Sequence, residues 1–413
     1  MTGRPQRIRV QNDTGLPASW PRNDHRVPTT SDVPPSPPGR AADRVSTLRR
    51  VGVISFARGM PGPDLLPIAE FADCARAALE RDGATALNYG PPGGYPPLRE
   101  WIAGRHDIDP ARVIVTNGSL QGFSFVARHL VRGGARFFVE APCYDRSLSI
   151  LRRLGAEVEQ VELADDGLDI DALAGALRAG DVVYTIPTFQ NPSGRTLSRE
   201  NRFRLVELAR SRGALVFEDD PYGELRFEGD PLPRLFELAD GQGVVFLSSF
   251  SKTVAPGIRT GYVILPEELV PEIEALVLEN YVSPAIFVEA ALYDFVTAGG
   301  YEPNLERVRD GLRIRRDAMT AALGRELAES STWSRPEGGY FLWLDLPAGV
   351  SGEALLARAT QDDVTFIKGA DFFFHGGGEE AARLAYSFAT APEIDEGIGR
   401  LGRLVRDAAA VAA

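Results

Sequence analysis

The chain has 413 residues, 44% of them hydrophobic, enough to bury a large core spread over more than one structural unit. A formal net charge of -12 argues against nucleic acid as the main partner, because phosphate backbones attract basic faces. Two cysteines and four scattered histidines supply neither a disulfide framework nor metal-ligand spacing, and no apolar run approaches the roughly 18 residues of a membrane span. The expectation is a soluble, cytoplasmic protein with no metal, no membrane and no nucleic acid among its partners, and without the apolar core of a signal peptide.

Residues 1–45 are rich in Pro, Arg, Asp and Ser, including Pro34-Pro35-Ser36-Pro37-Pro38-Gly39, and predict a flexible arm. Globular composition begins at Val51, and residues 46–80 are expected to pack with a later, smaller unit. Between about 110 and 265, short apolar runs alternate with helical patterns, the mark of a mainly parallel sheet between helices. Strands are predicted at 113–116, 137–140, 182–186, 215–218, 244–247 and 262–265. One helix follows from Phe123, Val126, Ala127 and Leu130 at i, i+3, i+4 and i+7. Another is expected to start with Ser198 as N-cap and run to Arg212-Gly213. The larger unit is placed at 81–295. From 296 to 413 the pattern changes to a charged helix near 305–323 and strands near 340–346 and 384–388, a smaller α+β unit.

Each distinctive polar cluster follows the carboxyl end of a predicted strand: residues 117–121, 141–144, 187–194, 219–222 and 248–259. In an open parallel sheet such loops share one edge, where ligands bind. The last of them reads Ser248-Ser249-Phe250-Ser251-Lys252-Thr253-Val254-Ala255-Pro256-Gly257-Ile258-Arg259. Only Lys252 and Lys368 are lysines among 45 basic residues, so a lysine set among hydroxyls is hard to dismiss as solvated surface. Its amine suits an aldehyde, and Ser249, Ser251 and Arg259 suit a phosphate, which together describe pyridoxal 5'-phosphate.

That cofactor assigns the other loops their tasks. Gly118 and Ser119 open a helix whose N–H groups can take the phosphate, although such a turn alone is an ordinary strand-to-helix connection. Tyr144 can stack on the pyridine ring, or simply pack. Asn191 can donate to the phenolic oxygen of the ring, and Tyr222 can reach the same atom; each motif alone would be a turn. Asp219, paired with the ring nitrogen, would keep it protonated so that the ring withdraws electrons.

Glu218-Asp219-Asp220-Pro221-Tyr222-Gly223-Glu224-Leu225, Phe189-Gln190-Asn191-Pro192-Ser193-Gly194 and Ser249-Phe250-Ser251-Lys252 with Arg259, in this order, resemble the fold-type-I pyridoxal-phosphate enzymes. Within them they are similar to class I/II aminotransferases near the 2-aminoadipate and aromatic aminotransferase group, from about Ser55 to Leu404. The resemblance implies an α/β fold and transfer of an amino group from an L-amino acid to a 2-oxo acid, with Lys252, Asp219 and Tyr222 at the catalytic centre. It also implies that Arg383 grips the substrate α-carboxylate, with Asn191 beside it, and that Tyr89, in Asn88-Tyr89-Gly90, reaches the neighbouring subunit's phosphate in a homodimer with shared sites.

Some positions depart from the family pattern. Leu120, among the expected phosphate contacts, stands where glutamine is frequent, Asn304 replaces a frequent histidine, and Ser248 replaces glycine. Arg58, in Ser55-Phe56-Ala57-Arg58-Gly59-Met60-Pro61, replaces a second glycine over the substrate side chain, where a cation would select an acidic substrate, restrict the pocket or point to solvent. Two alternatives stay open at this point. One is a lyase, decarboxylase, cyclase or oxidase using the same cofactor; the other is a cofactor-binding regulator, for which residues 1–45 are too short and Pro-rich to form a DNA-binding domain.

Overall fold

The structure, a computed structural model, describes residues 52–412; the arm expected over residues 1–45 lies outside them. Among the described residues, the largest sheet is built from β2 (Val113–Thr116), β3 (Phe137–Ala141), β4 (Val158–Ala164), β5 (Gly167–Leu168), β6 (Val182–Thr185), β7 (Leu215–Asp219), β8 (Val244–Ser249) and β9 (Gly261–Ile264), with β1 (Ile54–Ser55) outside it. Its order is β2-β9-β8-β7-β6-β3-β4-β5. Strands β8, β7, β6, β3 and β4 run parallel, and every residue of β2 and β6 is buried, which explains their unbroken apolar runs. Strand β9 runs against both β8 and β2, so β2 points the same way as the parallel strands and all five polar loops do emerge at one edge.

The helices follow local rules. Ser198 accepts a hydrogen bond from the Asn201 amide and caps Arg199–Arg212, which ends on Gly213 in the left-handed region. Helix Ser119–Arg132 buries Phe123, Val126 and Ala127 against the sheet, where Phe123 stacks on Phe217 at 5.2 Å.

A second sheet is antiparallel, in the order β10 (Thr332–Trp333), β11 (Phe341–Asp345), β14 (Ala381–Ala385), β13 (Ile367–Lys368), and β12 (Val364–Thr365) pairs with β1. The long helix spans Tyr301–Leu327, beyond the expected 305–323 at both ends. The strand expected at 384–388 sits three residues earlier. Paired strand residues end at Phe341–Ala385; beyond them the Tyr386 amide donates to the Tyr340 carbonyl, the Gly62 amide donates to the Ser387 carbonyl and the Ser387 hydroxyl donates to the Met60 carbonyl. Residues 54–66 are thereby strapped to the edge of the small sheet, while helix Ile68–Ala86 lies against helix Ile286–Thr297, with Phe71 6.1 Å from Phe295. No helix among the described residues is long and apolar enough to cross a membrane.

Candidate active site

The five loops enclose a cavity of about 330 Å³ at the carboxyl edge of the large sheet, closed from the other side by the small sheet. Ser119, Leu120, Tyr144, Asn191, Asp219, Tyr222, Ser249, Ser251, Lys252, Arg259 and Arg383, all expected from sequence, line it. Residues as far apart in the chain as Ser119 and Arg383 thus meet in one space.

Lys252 lies on the short helix Phe250–Thr253 that continues β8; Ser249 caps this helix by accepting from the Ser251 amide. Burial, with the cations Arg383 and Arg259 nearby, brings the Lys252 amine down to about 8 against the opposing pull of Asp219. Its Nζ donates to the Gly59 carbonyl at 2.6 Å. The turn is fastened from outside: Asn304 Nδ2 donates to the Thr253 carbonyl at 2.6 Å, and the Tyr340 hydroxyl donates to the Lys252 carbonyl at 2.9 Å. Asn304, unexplained by sequence alone, therefore ties the long helix to the lysine.

Arg259 is in the left-handed region and donates to the Asn117 carbonyl, the Ser251 hydroxyl and the Pro256 carbonyl. It packs on Gly118, where a Cβ would stand 2.2 Å from Nη2, and Gly118 itself has φ +88°. Gly118 is the N-cap of Ser119–Arg132, so guanidinium, helix N-terminus and the Ser249 and Ser251 hydroxyls form one anion cradle.

At the other end Asp219 terminates β7. Its Oδ2 accepts from the Tyr184 hydroxyl at 2.8 Å, and its buried Oδ1 has no hydrogen-bond partner among the described residues. Burial pushes this carboxyl up to about 7, while the Tyr184 bond favours the charged form. Such an acceptor suits a donor ring nitrogen. Tyr222 is buried, which drives its hydroxyl well above the usual range.

Arg383 stands on β14 with its guanidinium 4.2 Å from the Phe341 ring centre. It donates to Asn191 Oδ1 at 3.2 Å and to the Ala57 carbonyl at 2.7 Å, while its Nε is buried without a partner among the described residues. Burial disfavours its charge, so an anion entering the cavity would be welcome.

Three of the expected residues lie off the lining of the cavity: Arg58, Tyr89 and Gly118, the last packed against Arg259. Arg58 does not line it; its guanidinium stands 5.0 Å from the Phe388 ring centre. Tyr89 is 82% exposed and also lies off the lining. Conversely, sequence reasoning missed Tyr184, whose hydroxyl in an apolar strand was the available signal, and the wall formed by Phe341, Ile367 and Phe372. It also missed Glu140, a buried carboxylate at about 7 that accepts from Thr185, the Ile186 amide and Gln190, and so braces the loop carrying Asn191.

A lysine of lowered pKa, a cluster of anion-binding groups and a carboxylate oxygen without a partner among the described residues, set around one cavity, are what a pyridoxal-phosphate enzyme of fold type I requires. The sequence matches the family described as aminotransferase class I and II over residues 64–401, and the chain belongs to that family. It is 37% identical over 383 residues to a 2-aminoadipate transaminase of Thermus thermophilus, covering 89% of this chain and 96% of that one. It is 32% identical over 368 residues to aromatic-amino-acid aminotransferase 1 of Thermococcus litoralis, covering 86% and 88%. Among solved structures, the α-aminoadipate aminotransferase of Thermus thermophilus, complexed with N-(5'-phosphopyridoxyl)-L-leucine, superposes with a TM-score of 0.82 at 35% identity, over 87% of this chain and 94% of that one. The protein is a pyridoxal-phosphate-dependent aminotransferase.

Proposed function

We propose that the cavity binds pyridoxal 5'-phosphate through the residues above and exchanges an amino group between an L-amino acid and a 2-oxo acid, each entering against Arg383. When bound, the cofactor supplies an aldehyde to receive the amino group and a ring that draws electrons from the substrate Cα. Arg259, Ser249, Ser251 and the amides at the start of Ser119–Arg132 hold its phosphate, and Leu120 adds a backbone contact only. Tyr144 would face the ring, Asn191 and Tyr222 would supply donors for its phenolic oxygen, and Asp219 Oδ1 would accept from its nitrogen and favour its protonated form.

Lys252 does the covalent and proton work. Near neutral pH its lowered pKa leaves a useful fraction as the free amine, which would serve as the nucleophile toward an aldehyde cofactor and as the base for the proton on the substrate Cα. Arg383 fixes the α-carboxylate by its planar fork and so aims the Cα hydrogen. The small sheet, which contributes Phe341 and Arg383, excludes water when substrate is in place.

The observation that carries this reading is the buried Asp219 Oδ1 without a partner among the described residues, in the same cavity as Lys252. We place cofactor binding mainly on residues 81–295 and substrate closure on 296–413. The protein is proposed to work as a cytoplasmic homodimer; the exposure of Tyr89, beside the exposed Leu87, is what a residue serving a neighbouring subunit requires. The reading is tested by adding single L-amino acids to the holoenzyme without any oxo acid. Stoichiometric release of a 2-oxo acid, with loss of the visible band and formation of pyridoxamine phosphate, supports it. Release of carbon dioxide or ammonia without pyridoxamine phosphate overturns it.

A further inference from the structure

We propose that Asp145 sets substrate choice, and that the amino donor of this enzyme carries an apolar stem ending in a cationic group, as in lysine, ornithine or arginine. The proposal rests on the assignments above, which use Lys252, Arg259, Arg383 and Asp219 and leave Asp145 and Arg146 as the unassigned charged residues on the lining. These two differ in how they are held. The Asp145 side chain is 27% exposed and that of Arg146 67%. Asp145 directly follows Tyr144 and begins the helix Asp145–Leu154, so its short side chain is fixed at the cavity wall, whereas Arg146 reaches into solvent on a flexible stem.

The carboxylate of Asp145 retains acceptor capacity. Its ion-pair partner is Nε of Arg146 at 3.4 Å, well beyond the roughly 2.7–2.9 Å of a strong charge-assisted bond. The other charged groups acting on it are Arg383, which faces the substrate carboxylate, and Asp371, whose own cation is Lys368 at 3.8 Å. An acid in the first helical turn also complements the helix dipole, but that role does not require a place on the cavity lining. Phe341, Ile367 and Phe372 line the same cavity and give the methylenes of a substrate side chain an apolar wall. A cationic tip would then give Asp145 a second partner inside the cavity, a neutral tip would leave it with Arg146 alone, and an acidic tip would meet like charge.

The test uses the holoenzyme and two readouts. Calorimetry compares 6-aminohexanoate, which is lysine without its α-amino group, with hexanoate and adipate. Turnover compares L-lysine, L-norleucine and L-2-aminoadipate. We expect 6-aminohexanoate to bind about tenfold or more tighter than hexanoate, and Asp145→Asn and Asp145→Ser each to lower that ratio about tenfold, with the lysine-to-norleucine ratio of kcat/KM falling in parallel. Retention of the visible cofactor band shows that the variants are folded. Tighter binding of adipate than of 6-aminohexanoate, or ratios unmoved in both variants, would overturn the proposal, the first by transferring selection to Arg146. Failure to convert any donor would count against the aminotransferase reading, while the calorimetric ratios would still decide the role of Asp145.

Discussion

The Tyr184 hydroxyl donates to Oδ2 of Asp219 at 2.8 Å, while Ser147 Oγ lies 2.9 Å from the same hydroxyl, so a buried chain of polar groups supports one oxygen of the carboxylate and leaves the other without a partner among the described residues. Burial raises Asp219 to about 7, and the Tyr184 bond is the main local force holding it from rising further. Ionisation requires a pH above the pKa, so cofactor affinity is expected to rise as pH increases through about 7. In Tyr184→Phe the midpoint should move to higher pH, with affinity at pH 7 down about fivefold for the loss of one bond worth about 1 kcal/mol. Cofactor titrations from about pH 6 to 9 check this; a midpoint unmoved in the variant would mean that Tyr184 does not tune Asp219.

Lys252 gives a second pH dependence of the same sign, in rate rather than affinity. Its amine must be neutral to capture an aldehyde, and burial with Arg383 and Arg259 brings it to about 8. The rate of cofactor uptake by cofactor-free protein should therefore climb with pH, by up to about tenfold per unit below 8, and level off above it. Lys252→Ala should cut turnover by about 1,000-fold or more, the range of a lost general base with a lost nucleophile. Stopped-flow absorbance measures the first and a donor assay the second.

Much of this site was legible because its chemistry is written locally: a lysine among hydroxyls, Asn191 in a turn, Asp219 at a strand end. Loops after strands that run the same way must share an edge, so the motifs could be brought together without coordinates. Direction was less legible. Strand β9 has the same apolar pattern as its parallel neighbours, and periodicity carries no sign of its reversal. Partners supplied from afar were hidden too. Tyr184 reads as an ordinary strand residue, Asn304 finds Thr253 across 51 positions, and Phe341 and Phe372 become cavity walls only when the small sheet is laid over the large one. The sequence leaves Arg58 open between substrate selection, pocket restriction and solvent, because it does not say where a long side chain goes; the structure sets it against the Phe388 ring.

Buried acids outside the reaction predict how stability varies with pH. Glu140 and Glu218 are pushed up to about 7 by burial, as is Asp219, whereas an unfolded chain titrates near 4. A carboxyl whose folded pKa is raised binds its proton more tightly when folded, so its contribution is complete below about pH 4 and is lost as pH rises through about 7. The cofactor-free protein should accordingly lose Tm between about pH 4 and 7 and level off above. The holoenzyme should lose less, because a protonated ring nitrogen stabilises the ionised Asp219. Differential scanning calorimetry of both forms decides it, and equal slopes would argue against Asp219 as the nitrogen's partner.

Arg383 should separate binding from packing. It is buried, shares Asn191 Oδ1, and holds the Ala57 carbonyl, so Arg383→Lys keeps a charge but loses the fork. We expect kcat/KM to fall about 100-fold for every donor, mostly through KM, since the carboxylate is common to all of them. A loss confined to one donor class would place Arg383 at the side chain instead.

Gly118 offers the sharpest test of the phosphate cradle. A Cβ there would stand 2.2 Å from Arg259 Nη2 and 3.0 Å from Cζ, at a φ of +88° that costs an L-residue about 1–3 kcal/mol. The guanidinium cannot retreat freely, since Nη2 donates to the Asn117 carbonyl and Nη1 to the Ser251 hydroxyl. Gly118→Ala must therefore either strain the helix start or push Arg259 off the anion. Cofactor dissociation constants should rise about tenfold or more, as about 1.4 kcal/mol requires. Pyridoxal, which lacks the phosphate, meets Lys252 without using the cradle, so its much weaker binding should change far less. Equal losses for both compounds would mean that the substitution disturbs the whole edge of the sheet rather than the phosphate site.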